Sequence, residues 1–159
     1  MAVGLMYTAQ FTGVSVTNAV QDLWEIQNSA TTSLVLHWVK VTFEPTITSG
    51  VAQDVRARLQ ILERSTNGTG GTAVTPAGAH PRNSIASATT AVNRTVVTTQ
   101  GTAGDIHWSD SASIIVPWEI IFTPDTRIPI SPSTKLAVFL TTALGAAYNC
   151  SSTICWEEI

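Results

Sequence analysis

Three histidines, two cysteines and eleven acidic residues are the groups in this chain that could carry a reaction. His107 stands in "DIHWSDSASII", where Ser109 and Asp110 follow closely and complete the residue types of a nucleophilic triad. A triad needs its base between the nucleophile and the orienting acid. Neighbouring residues of a strand point to opposite faces, so His107 and Asp110 diverge. No G-x-S-x-G elbow is present to expose a serine. His37 sits among apolar neighbours in "SLVLHWVKVTF", the setting of a packed imidazole rather than a ligand. No H-x-x-x-H or C-x-x-C pair offers a metal clamp, and no loop alternates Asp and Asn as a calcium site does. Glu157 and Glu158 are adjacent, and adjacent strand residues cannot face one cation. The Gly-rich "NGTGGT" feeds further Thr and Pro instead of a helix, so it reads as a turn and not a phosphate cradle. The expectation is a chain with no catalytic residue, no cofactor and no metal: not an enzyme.

Cys150 and Cys155 lie in "YNCSSTICWEEI". On a strand their Cα atoms stand roughly 16 Å apart at ~3.3 Å per residue. A disulfide spans less than about 7 Å, so a bridge between them would need a turn at Ser151-Ser152. Two buried free thiols are the expectation. Trp24, Trp38, Trp108, Trp118 and Trp156 each lie in an apolar run, where a large ring belongs to a core. An exposed indole face that stacks on sugars is the other reading. The sequons at Asn67, Asn93 and Asn149 follow from abundant Ser and Thr.

The elements that must hold these residues are strands. "VRARLQILER" alternates Ala57, Leu59 and Ile61 against Arg56, Arg58 and Gln60, the pattern of a half-buried strand. "SLVLHWVKVTF" is apolar on both faces and then alternates Val39, Val41 and Phe43 against Lys40, Thr42 and Glu44, as a covered central strand would. "MYTAQF", "DIHWSDSASII", "WEIIF", "KLAVFLTT" and "NCSSTICWEEI" repeat the period of two. "NAVQDLWEIQ" can be laid on a helix with Asn18 as cap, but Trp24 and Ile26 opposite Glu25 suit a strand better. Eight or more short strands, punctuated by Gly and Pro and without a helical crossover, predict one all-β domain over residues 1–159: a single antiparallel β-sandwich, jelly-roll-like, with a long extended central arm or loop at residues 65–105.

Composition narrows the partners. The 159 residues are 44% hydrophobic and 12% charged, with a net charge of −3. That charge content is about half the usual share, so the surface has little to keep copies of itself apart. No basic stripe marks a nucleic-acid partner. No apolar run approaches the ~20 residues of a membrane helix. The start, "MAVGLMYTAQFTGV", lacks the basic and apolar regions of a secretory signal. Neither nucleic acid nor membrane is expected as a partner.

The stretch "GGTAVTPAGAHPRNSIASATTAVNRT" holds few large apolar side chains, and long structureless connections are uncommon in a compact domain. Pro76 and Pro81 keep it extended, and the residues before them avoid helical angles. His80, Arg82 and Arg94 are donors, with Asn83 beside them, and the small residues between let a backbone lie close to another surface. The expectation is an arm over residues 75–94 that crosses to a neighbouring subunit or shell. The closing "WEEI" adds Trp156 and Ile159 as a second candidate contact.

The succession "YTAQFTGVSVT", "DLWEI", "LVLHWVKV", "RLQILERSTNGTGGTAVTPAGAHPRN", "TTAVNRT", "PWEIIFTPDTRIPISPSTKLAVFL" and "WEEI" resembles a family of small virion proteins of tailed bacteriophages and prophages, of the β-sandwich capsid decoration (cement) type. The two Cys near the end and the Trp-rich core depart from the family pattern. The resemblance implies a structural protein made in the host cytoplasm and located on the capsid surface of the virion. It would trimerise there and brace the major capsid protein. A tail, neck or fibre-associated component, or a host-binding knob with glycan affinity, is the alternative.

Overall fold

The computed structural model describes residues 4–16, 19–44, 56–80, 85–145 and 148–159. Of residues 93–98 it describes the backbone alone. Twelve strands and no helix occur among the described residues. In chain order they are β1 (Leu5–Val16), β2 (Gln21–Gln27), β3 (Leu34–Glu44), β4 (Arg56–Arg64), β5 (Thr69–Val74) and β6 (Ala77–Gly78). There follow β7 (Thr90–Thr99), β8 (Ala103–Ser113), β9 (Trp118–Ile121), β10 (Ile128–Ile130), β11 (Lys135–Leu140) and β12 (Tyr148–Glu158). One sheet runs β10-β3-β12-β1-β6, with β9 also paired to β3, and the other runs β5-β7-β2-β11-β4-β8. Every pairing is antiparallel. The all-β sandwich expected from the alternation is what the chain forms, and the ambiguous "DLWEIQ" is strand.

The alternation sets which faces meet. Ala57, Leu59 and Ile61 of β4 are buried, whereas Arg56 and Arg58 are exposed. Leu36, Val39, Val41, Ile154 and Trp156 from the first sheet join Trp24, Ile26, Leu59, Ile61 and Val138 from the second in one core cluster. On β3 the buried set steps from Leu36 to Val39 across an irregularity, since Trp38 faces Cys155 but Leu36 faces Trp156. A bulge inserts one residue in this way and re-aims its side chain. His37 is the inserted residue.

A feature that periodicity does not foretell is the course of the chain from β4 to β8. β4 pairs with β8, and β5 pairs with β7, so this region is one long two-stranded ribbon. Its halves flank the central pair of the sheet on opposite sides: β4 bonds to β11 and β7 bonds to β2. The ribbon must therefore cross β2 and β11 at residues 65–68 and 100–102. Trp24 and Ile26 face the core, so Glu25 between them faces outward, toward the crossing. Asp22 and Glu25 are wholly buried there, and Arg64 nearly so. The Arg64 guanidinium donates to Asp22 Oδ1 at 2.7 Å and to the Gly101 carbonyl at 2.9 Å, and lies 4.8 Å from the Phe139 ring centre.

The central stretch departs from expectation. Residues 65–105 are not a long free loop, because they contain β5, β6, β7 and the start of β8. β6 pairs with Tyr7 and Thr8 of β1, and the Ala79 amide donates to the Met6 carbonyl at 2.8 Å. Further on, the Glu158 carboxylate accepts hydrogen bonds from the Ser87 hydroxyl, the Ala88 amide (2.9 Å), the Thr89 amide (3.2 Å) and the Thr89 hydroxyl (2.9 Å). The Tyr7 hydroxyl donates to the Ile85 carbonyl at 3.1 Å. The described parts of this segment, residues 77–80 and 85–89, form a strap along the β1 edge of its own sandwich, held by polar contacts in place of buried apolar side chains.

Candidate functional site

The histidines do not meet. His37 Nε2 is 2.9 Å from Glu157 Oε2 on the first sheet, and His107 Nε2 is 3.2 Å from Glu63 Oε1 at the rim of the second. Asp110 turns the other way and accepts the Trp118 indole N–H at 3.1 Å, while Ser109 accepts from Gln60. The triad types in "HWSD" are thus split between faces, as the strand geometry requires. Among the described residues no three His, Cys, Asp or Glu side chains gather as a metal would need.

The cysteines are free and buried. Cys150 belongs to the core, and burial, aided by Glu44, pushes its thiol up to about 12. Cys155 lies on the other face of β12. Burial pushes it up to about 11, against the pull of Arg127 and a hydrogen bond with Trp38. Thiols so held are protonated at neutral pH and chemically quiet.

The expected contact residues have separate fates. Pro76 is half-buried just before the strap, and His80 is exposed within it. Pro81, Arg82 and Asn83 lie outside the described residues, and Arg94 is described by its backbone alone, in β7. Ile159 is exposed, with its amide and carbonyl paired to Ser33. Trp156 is a correction: it is wholly buried, its ring packed beside Tyr7, so it has no surface to offer a partner. Period two puts it on the inner face with Ile154, a consequence that the reading of "WEEI" as a contact overlooked.

Two surface features remain. The first is the side where β8 ends one sheet and β9 borders the other. Trp108 is 42% exposed and meets Phe122 edge-on at 6.0 Å. Ile106, Ile115, Val116 and Ile121 are exposed along the same two strands and the turn between them. Trp24, Trp118 and Trp156 are buried as expected, whereas Trp108 is not.

The second is a polar depression of about 350 Å³ on the outer face of the second sheet, lined by Gln27, Asn28, Ser29, Asn67, Ser133 and Lys135 among others. Gln27 and Lys135 are cross-strand partners there, and the ribbon crossing supplies Asn67. Beneath it the buried Glu25 accepts from Gln27 Nε2 at 2.7 Å and from the Gly68 amide at 2.9 Å. Sequence reasoning missed this site. An acid between Trp24 and Ile26 reads as a solvent face, and the segment that covers it lies some forty residues further on.

Comparison with known families, curated proteins and solved structures finds no match to this chain.

Proposed function

We propose that this chain is a structural protein of a tailed-bacteriophage virion, a capsid decoration (cement) protein that trimerises on the head and stabilises the shell through contacts with its copies and the major capsid protein. The resemblance of its motifs to that family is the starting point. The observation that carries the reading is the β8–β9 side, where Ile106, Trp108, Ile115, Val116 and Ile121 are exposed on a protein with few charges. Exposed large apolar side chains grouped along neighbouring elements are the raw material of interaction sites, and this side carries five. Closed rings of identical subunits are the common way to cover them. The strand order β1-β12-β3-β9 facing β2-β11-β4-β8 supports the jelly-roll form of the sandwich. Exposed His80 and Ile159 stay candidate contacts. The strap is used by its own chain, so the β8–β9 side takes over the main role first given to the arm.

A second reading, a tail or host-binding component, is favoured by one feature: the exposed Trp108 ring could stack on a glycan. Electron microscopy of virions with a tagged chain separates the two, because a decoration protein covers the head in many copies. In solution the decoration reading expects a mass three times 16.9 kDa. A monomer that leaves purified heads bare would sink it.

A further inference from the structure

We infer that the polar depression beside the ribbon crossing is a binding site for one neutral sugar unit, a role independent of where on a virion the protein sits. The argument starts from hydrogen-bonding capacity left over after the fold has used its share. The Lys135 ammonium donates to the carbonyls of Ser65 (3.2 Å) and Ser133 (2.9 Å), which fixes its position and leaves one of its three N–H groups. Ser29 Oγ accepts from the amides of Thr31 (3.3 Å) and Thr32 (3.1 Å), so its own hydrogen is available to donate. Gln27 gives an N–H to Glu25 and keeps its carbonyl oxygen as an acceptor. The exposed Asn67 amide, one donor group and one acceptor on a short stem, completes the set.

These groups are held before any ligand arrives. Asn28 donates to the Ser131 carbonyl at 3.1 Å, and the Ser133 amide donates to the Ser29 carbonyl at 2.8 Å, locking two walls together. Ser133 has a φ of 66°, a left-handed conformation that a residue with a side chain adopts only where its surroundings hold it there. Glu25 ties Gln27 and Gly68 from below, so the wall that carries Asn67 cannot drift from β2.

The chemistry of the lining selects the ligand class. The lining offers both donors and acceptors, which suits hydroxyls, each able to donate once and accept twice. Lys135 is the one charged side chain among the lining residues, and the buried Glu25 carboxylate beneath offsets its charge, so the depression favours neither a free anion nor a free cation. No aromatic ring lines the depression, which removes the platform a flat heterocycle would need. Its volume is near the lower end of the ~300–1,000 Å³ typical of small-molecule sites. One hexose ring of a longer chain fills that space, and the open mouth lets the rest continue outside.

The test is titration of the ¹⁵N-labelled full chain with the methyl glycosides of glucose, galactose and mannose, followed by amide NMR. Glucuronic acid and glucosamine serve as charged comparisons. At least one neutral glycoside should give saturable shifts at Ser29, Gly68 and the Asn67 side chain, with a dissociation constant of ~1–10 mM. The charged sugars should bind about tenfold more weakly, and Asn67→Ala and Gln27→Ala should each weaken binding about tenfold while the rest of the spectrum stays in place. Absence of saturable shifts there for all three neutral glycosides up to ~50 mM overturns the assignment. So does charged-sugar binding of equal strength, or an Asn67→Ala variant that binds unchanged. Virion location bears on none of these outcomes.

Discussion

At the scale of single residues, the polar groups that matter most are those a strand pattern would place in solvent. Asp22 and Arg64 form an ion pair shielded by the crossing ribbon. Breaking such a pair by removing one partner strands the other charge and costs about 3–5 kcal/mol, whereas an apolar pair of similar volume is close to neutral. Arg64→Met and Asp22→Leu should each lose that much in urea unfolding, and the double variant should recover most of it. Equal losses that simply add would show that the two side chains act separately. Glu158 makes a second prediction. Burial alone would raise its carboxyl, but hydrogen bonds from Ser87, Ala88, Thr89 and Trp156 together hold it below the usual glutamate value. Its contribution is therefore complete above the unfolded-state value of about 4.3 and fades as pH falls through the lower folded value. Glu158→Gln should flatten the acid limb of the stability profile below the unfolded-state value of about 4.3 and loosen the strap. Hydrogen exchange at Ala88 and Thr89 reads that loosening directly.

At the scale of elements, the ribbon crossing depends on a close approach of two backbones. A Cβ on Gly101 would lie 2.0 Å from the Thr66 carbonyl oxygen, and that backbone atom cannot swing away. Gly101→Ala should cost about 1–3 kcal/mol, the range for forced overpacking, or roughly 2–4 °C of Tm for each kcal/mol. A thermal melt indistinguishable from the parent would mean the crossing is looser than drawn. This is also where legibility in the sequence stops. The faces of β4 and β3 were readable, because alternation is local and Ala57, Leu59, Val39 and Val41 obey it. Free thiols were readable from the spacing of Cys150 and Cys155 on one strand. The strap's place on its own sandwich was not readable, since Pro, Gly and Ala say how a backbone can run but not what it lies against. Its anchor, Glu158, is about seventy residues away. The polar depression escaped for the same reason: Glu25 and Asn67 meet through a crossing that no period encodes.

For the whole molecule, the apolar β8–β9 side sets the prediction. Ile121 is 69% exposed on β9, so replacing it alters little inside the sandwich. If the proposed trimer uses this side, Ile121→Asp should leave Tm within a degree or two and shift the sedimentation profile from trimer toward monomer, since burying an unpaired charge in an interface is costly. An unchanged oligomer would move the contact elsewhere, to the strap or to Ile159.

Strand order also governs when the protein can take shape during its own synthesis. β11 lies between β2 and β4, and β12 lies between β3 and β1, so the middle of each sheet is completed by strands that follow its other strands in chain order. While β11 is still in the ribosome the ribbon has no central pair to cross, and β3 and β1 have nothing between them. Folding must wait until β11 and β12 have been released, and it then proceeds through contacts distant in sequence, which are slow to form. A nascent chain of this kind spends its synthesis with strand edges uncovered, and crowded translation at high expression is where its losses to aggregation will fall.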